Sequence, residues 1–163
     1  METEASNAPL GADLDRIPRR ILVATDFSEG SDRALTAAIE MADAAGASIE
    51  LVYVDQLPLE ELPLVFGTYD LEEGGYYAWV GRNLARCAAR VQEAGITCQT
   101  TQLQGRPAAE IVRHAAEAGA DLIVVGTHGR TGLAHVLLGS VAERVVRHAR
   151  CSVLTVPAAG RGE

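Results

Sequence analysis

Lysine is missing altogether: all 14 basic residues are arginines, set against 22 acids for a formal net charge of −8. A phosphate loop of the Gly-Lys-Ser/Thr kind, whose lysine reaches the phosphates, is therefore excluded. The shortage of positive charge argues against non-specific binding of nucleic acid or anionic membranes. Cysteine is scarce. Cys87, Cys98 and Cys151 are an odd number without CxxC spacing and read as reduced thiols of a cytoplasmic protein. The four histidines show no HExxH or other zinc pattern. No apolar run is long enough to span a bilayer and no secretory h-region stands near the start, so the expectation is a soluble, cytoplasmic protein.

What is present is organised around residues 121–146. Leu122 to Val125 is a short apolar run bounded by Asp121 and Gly126, the pattern of a strand buried on both faces. Glycines follow at 126, 129, 132 and 139, and then Ser140 opens a helical pattern in which Val141 and Val145, and Ala142 and Val146, recur four apart. Ser140 reads as the N-cap of that helix. A strand, a glycine-rich loop and a helix N-terminus together make an anion site, because bare backbone approaches a phosphate closely and free N–H groups favour negative charge. Arg130 can add a charge-assisted hydrogen bond, typically about 1.5–3 kcal/mol. The plainer alternative is that Gly126 ends the strand and Gly139 makes a turn.

Charge is uneven along the chain. Residues 1–120 hold nine arginines and nineteen acids, and residues 121–163 hold five and three, for net values of −10 and +2. Arg144, Arg147 and Arg150 read as complements to the C-terminal end of a helix dipole.

At 163 residues the chain is expected to be one domain, able to bury roughly 70% of its unfolded surface without staples. Residues 1–18 are polar and broken by Pro9, Gly11 and Pro18, and read as a mobile tail; 158–163 read as a second tail. Ile21 to Thr25 is the first expected strand. Asp26 to Asp32 supplies caps, and Leu35, Ala38, Ile39 and Ala42 form a helical stripe ending near Gly46. Ser48 to Val54 is the second strand. Residues 56–75 lose the pattern and read as a long loop, of a length that is often functional. Tyr76, Tyr77 and Trp79 begin the next helix, where aromatics pack more readily than they stack on a base. Val80, Leu84, Ala88 and Val91 continue its stripe to Gly95. Residues 96–103 form a polar strand suited to a sheet edge. Pro107 starts a helix whose buried face is Ile111, Ala115 and Ala118. Cys151 to Val156 is the last strand, stopped by Pro157.

The alternation β-α-β-α-β-α-β-α-β, without internal repeat, means a parallel sheet with helices on both faces. Right-handed crossovers and the polar third strand favour a single-domain, Rossmann-like, doubly wound α/β fold of five parallel strands in the order 3-2-1-4-5. Strands 1 and 4 then flank the topological switch point, where ligands bind beyond the carboxyl ends. Thr25–Asp26 and Gly126–Arg130, far apart in sequence, converge there.

The dinucleotide fingerprint Gly-x-Gly-x-x-Gly does not match. The spacing Gly126-x2-Gly129-x9-Gly139-Ser140 resembles the ATP-binding motif of the universal stress protein family. Ile-Leu-Val-Ala-Thr-Asp-Phe-Ser-Glu-Gly-Ser at 21–31 and Cys-Ser-Val-Leu-Thr-Val-Pro at 151–157 resemble the same family, so that the likeness covers about residues 19–157. It implies an adenine nucleotide, ATP above all, with Mg or Mn. Ala24, Thr25 and Asp26 would border the adenine and ribose, and Val54 would close the adenine pocket. Gly126, Thr127, His128, Gly129 and Arg130 would line the ribose and phosphates, and Gly139, Ser140 and Val141 would cradle the phosphates. Ala24 stands where many members have proline.

Alternatives remain open for several of these residues. Asp26 also suits a helix cap. His128 lacks a carboxylate partner in sequence and reads as a binding or structural residue before a base. Ser140 reads as a cap that also binds phosphate before a nucleophile. Asp26 and Asp55, both after strands, could hold a divalent ion through waters. The fifth strand is an apolar edge, a liability unless paired, so a homodimer through Val153, Leu154 and Val156 is expected, as the family likeness also implies, the alternative being a cover by the C-terminal tail. Three functions compete: an ATP-dependent regulatory stress protein, a slow ATPase or phosphotransferase, and a nucleotide-free interaction module. With no evident general base and no lysine, strong phosphoryl-transfer catalysis is not expected.

Overall fold

The computed structural model describes residues 17–56, 75–127 and 138–157. The expectations for both tails and for most of the 56–75 loop lie outside the described residues. The chain runs β1 (Arg20–Thr25), α1 (Glu29–Ala45), β2 (Ser48–Asp55), α2 (Gly75–Glu93), β3 (Cys98–Gln104), α3 (Pro107–Ala118), β4 (Leu122–Gly126), α4 (Ser140–His148) and β5 (Ser152–Val156). The five strands are all parallel in the order β3-β2-β1-β4-β5, the doubly wound arrangement expected from the sequence.

The central strands owe their place to apolar residues on both pleats. On β1, Ile21 and Val23 enter one core with Leu35 and Ala38 of α1 and Val80 and Leu84 of α2. Leu22 and Ala24 enter the other, with Ile111 of α3 and Val145 of α4. Burying each such aliphatic side chain is worth about 1.5–3 kcal/mol, and only a strand covered on both faces collects it at every residue. The helix stripes match: Val80, Leu84, Ala88 and Val91 are the buried residues of α2. On α3 they are Ala108, Ile111 and Ala115, and Ala118 is half-buried.

Strand ends depart from the expectation by a residue or two. β3 starts at Cys98 because the Ile96 N–H is drawn back to the Val91 carbonyl, 3.2 Å away, closing α2 behind Gly95 with its φ of 78°. β3 is the polar edge expected, its sequence Cys-Gln-Thr-Thr-Gln-Leu-Gln leaving Thr and Gln toward solvent.

One buried charge departs from the apolar pattern. Glu50 of β2, 9% exposed, lies under α3, where its Oε1 meets His114 Nε2 at 2.6 Å and accepts from Thr101 Oγ1 at 2.7 Å. Burial alone would raise this carboxyl. The hydrogen bonds from His114 and Thr101 and the charges of His114 and Arg20 outweigh it and hold the group below its ordinary 4.5. A depressed carboxyl contributes stability above its unfolded-state value and loses it as pH falls through the folded-state value. Glu50→Gln is therefore expected to lower the urea midpoint at about pH 7, with the gap to the parent protein shrinking toward about pH 3. A gap that widens on acidification would contradict this.

Candidate functional site

β1 and β4 are neighbours, with Ile21 beside Leu122 and Val23 beside Val124. The chain leaves them in opposite directions, toward β2 and toward β5, and opens a crevice between their carboxyl ends. A cleft of about 320 Å³ occupies it. Ala24, Thr25, Asp26, Val54, Gly126, Thr127, Gly139, Ser140 and Val141 all line this cleft. His128, Gly129 and Arg130 lie outside the described residues.

The β1–α1 turn is fixed by a short run of hydroxyls. Thr25 Oγ1 accepts from the Phe27 N–H at 3.1 Å and donates to Ser31 Oγ at 3.2 Å, and Ser31 Oγ donates to the Ser28 carbonyl at 2.9 Å. Ser28 is the N-cap of α1, its hydroxyl accepting from the Ser31 N–H at 3.3 Å. Asp26, expected as a possible cap, instead holds the cap: its Oδ1 accepts from both the backbone N–H and the hydroxyl of Ser28. The difference is one of reach, since Ser28 and not Asp26 stands three residues before Ser31, the third helical residue, whose N–H it caps. Between them Phe27 has φ 61°, a left-handed conformation rare for a bulky residue and costing about 1–3 kcal/mol. Its ring offsets that by stacking on Tyr53 at 4.9 Å and meeting Trp79 edge-on at 5.3 Å.

The β4–α4 side is pinned differently. The Thr127 N–H donates to the Val156 carbonyl at 2.8 Å, and the Gly139 N–H donates to the Thr127 carbonyl at 2.6 Å. These two amides are held by protein, so they are not phosphate donors as the motif reading supposed. The N-cap of α4 is Gly139, and Ser140, expected in that role, is the first helical residue. The extended backbone of Gly139, φ −66° and ψ 157°, turns the chain into the helix with no side-chain cap. Ser140 and Val141, residues of the first turn, whose N–H groups an α-helix leaves without intrahelical partners, line the cleft. Gly126 has a packing duty besides: a Cβ there would stand 2.7 Å from the Gly30 carbonyl carbon of α1.

Asp26 and Asp55, which could hold a divalent ion through waters, are placed differently. Asp26 lines the cleft; Asp55 does not and is 2% exposed, its Oδ1 accepting from the Tyr76 hydroxyl at 3.2 Å. Asp55 points to the α2 side because it is an odd number of residues from Val54, and strand side chains alternate. Tyr76 and Tyr53 hydroxyls lie 2.7 Å apart, and burial, that hydrogen bond and the nearby Asp55 charge push the Tyr76 phenol up. Among the described residues no group of three or more His, Cys, Asp or Glu is arranged to hold a metal. Tyr76 and Trp79 pack against the core, as expected of helix-packing aromatics, whereas Tyr77 is 41% exposed.

Sequence reasoning missed Gln56, Pro107 and Ile111, which also line the cleft. Pro107 was legible as a helix start and Ile111 as a buried residue. Their arrival at the same cavity depends on how α3 lies across β2, which no local pattern encodes.

The fold and the cleft define a doubly wound α/β domain with a crevice at its switch point. The profile of the universal stress protein family matches residues 18–157, and the chain belongs to that family. It is 39% identical over 148 residues to universal stress protein MJ0531 of Methanocaldococcus jannaschii, covering 87% of this chain and 84% of that protein. With universal stress protein YxiE of Bacillus subtilis it shares 32% over 146 residues, covering 84% and 97%. Among solved structures it is similar to hypothetical protein MJ0577, at TM-score 0.76 and 26% identity, covering 89% of this chain and 99% of that one. It is also similar to a universal stress protein in complex with cAMP, at TM-score 0.66 and 28% identity, covering 87% and 98%. No helix among the described residues is long and apolar enough to cross a membrane.

The contact of Gly126 with α1 makes a prediction about folding. Gly126→Ala is expected to destabilise by about 1–3 kcal/mol, because its methyl group would meet backbone and not a flexible side chain. Urea unfolding that matches the parent protein would show that α1 can withdraw without cost.

Proposed function

We propose that this universal stress protein binds an adenine nucleotide, ATP above all, and acts as a nucleotide-dependent regulatory module in a cytoplasmic stress response. One observation carries the reading: residues 24–26, 126–127 and 139–141, distant in sequence, line one cleft bounded by the first turn of α4. Its volume of about 320 Å³ lies within the range of small-molecule pockets, about 300–1,000 Å³. In this reading Ala24, Thr25 and Val54 border the base and ribose. The N–H groups of Ser140 and Val141 meet the phosphates, with the helix dipole favouring their charge. His128, Gly129 and Arg130 complete the phosphate side, and Mg or Mn accompanies the nucleotide. The family relative solved with cAMP supports the nucleotide class.

Binding, and not phosphoryl transfer, is the activity proposed. The Asp26 carboxylate is engaged by Ser28, and among the described residues no histidine or carboxylate hydrogen-bonds the Ser140 hydroxyl. A nucleophile without a base is weak.

Calorimetric titration is expected to give an ATP dissociation constant in the micromolar range, about −8 kcal/mol. Gly139 has backbone angles that valine adopts readily, so Gly139→Val should fold normally and bind ATP at least about tenfold more weakly. Unchanged affinity in that variant would remove the phosphates from the start of α4.

A homodimer through β5 belongs to the same proposal. β5 is a sheet edge, and Val153, Leu154 and Val156 on it remain only half-buried. Pairing with a second copy would cover both its backbone and these side chains. Sedimentation is expected at twice the 17.2 kDa chain mass, and folded Leu154→Asp at the single-chain mass. A parent protein sedimenting as a monomer would contradict the pairing.

A further inference from the structure

A second cavity, of about 410 Å³, lies between α1 and α2, and the nucleotide reading makes no use of it. Its apolar lining is Phe27, Leu35, Cys87 and Ala89. Burial pushes the Cys87 thiol up from its ordinary value, so that surface is uncharged. The charged lining is arranged unevenly. Arg90 is tied to Asp32 across the two helices and donates to Thr36 Oγ1 at 2.9 Å. Glu93 lies less than one turn beyond Arg90, at that same end. Arg86 stands one turn earlier on α2, is exposed, and makes no ion pair among the described residues. Arg86 and Glu93 are seven positions apart, about 10 Å along the helix axis, so the acid at the far end does not pair with Arg86.

We infer that this cavity binds a small organic anion with an apolar body, its anionic group at Arg86 and its body over Phe27, Leu35 and Cys87. A concave pocket with an apolar patch and an arginine free of ion pairs among the described residues selects for that class: the body gains from leaving water and the head from a charge-assisted pair. The cavity also shares a wall with the cleft. Thr25 and Ser31, joined by their hydroxyls at 3.2 Å, line both spaces, and Phe27 with its left-handed backbone is the next turn residue. An occupant pressing on Phe27 acts on the same turn that presents Asp26 to the cleft. This linkage, unlike the site itself, rests on the nucleotide reading proposed above, and it is reciprocal: each ligand changes the affinity of the other by one factor.

The test uses anilinonaphthalene sulfonate, an aromatic body with one fixed negative charge, titrated by fluorescence and by equilibrium dialysis for stoichiometry. One bound probe per chain is expected. Arg86→Glu should weaken it by about tenfold or more, and Ala89→Trp, at an exposed lining position, should abolish it by filling the space. Both variants should keep the parent melting temperature, and Arg86→Glu the parent ATP affinity. Saturating ATP should shift the probe affinity by about fivefold or more in either direction without displacing it, and the probe should shift ATP affinity equally. Absence of stoichiometric binding, binding insensitive to both substitutions, or displacement by ATP would overturn the site. Affinities that ignore each other would overturn the linkage and leave the site. A chain that binds no ATP would strike the nucleotide reading alone, since the probe titration does not need it.

Discussion

The parallel pairing of β1 with β4 is the interaction on which the molecule is built, because it places two unrelated turns at one point in space. Ile21, Leu22 and Val23 lie beside Leu122, Ile123 and Val124, and all six side chains are buried among helices on both faces. With both faces covered, a slip of register by one residue would trade one apolar set for the other and cost little in pattern. Close contact outside the ladder adds a further restraint. Gly126 ends β4 against the backbone of Gly30 in the first turn of α1, leaving no room for a side chain. The strand ladder and this glycine contact together bring the start of α1 to the tip of β4.

From that juxtaposition the two cavities follow. The turn after β1 must pass from the sheet into α1 within three residues, and it does so by placing Phe27 in a left-handed conformation. Asp26 is left on the cleft side and the Phe27 ring on the side of α1 and α2, against Tyr53 and Trp79. Opposite, the turn after β4 is secured by Thr127 to β5 and by Gly139 to Thr127, so the first turn of α4 faces the cleft from a fixed position. Rigid walls of this kind lower the entropic cost of holding a ligand.

The fold was legible from local pattern because each element is nearly ideal. The stripe Val80, Leu84, Ala88, Val91 cannot be read as anything but a helix face, and the polar third strand could only sit at an edge. Convergence of the two motif stretches was legible too, since it follows from strand order alone. Finer assignments failed where two rules compete over one or two residues. Ser140 has the better side chain for a cap, yet Gly139 takes the position because the backbone must turn there and donate to Thr127. Asp26 and Ser28 both suit a cap, and the geometry of the turn gives it to Ser28. Asp55 was grouped with Asp26 because both follow strands; side-chain alternation sends it to Tyr76 on the other face. Pro107 and Ile111 carried no sign of a site, because their part in it depends on the packing of α3 across the sheet.

The central claim is that the crevice between β1 and β4 holds a nucleotide against the first turn of α4. Backbone amide shifts of the labelled protein, followed by NMR through an ATP titration, test it most directly. The account predicts saturable shifts centred on Thr25, Asp26, Ser140 and Val141, with those of Arg86 and Arg90 smaller. Shifts centred on α2, or no saturable shift at the start of α4, would contradict it.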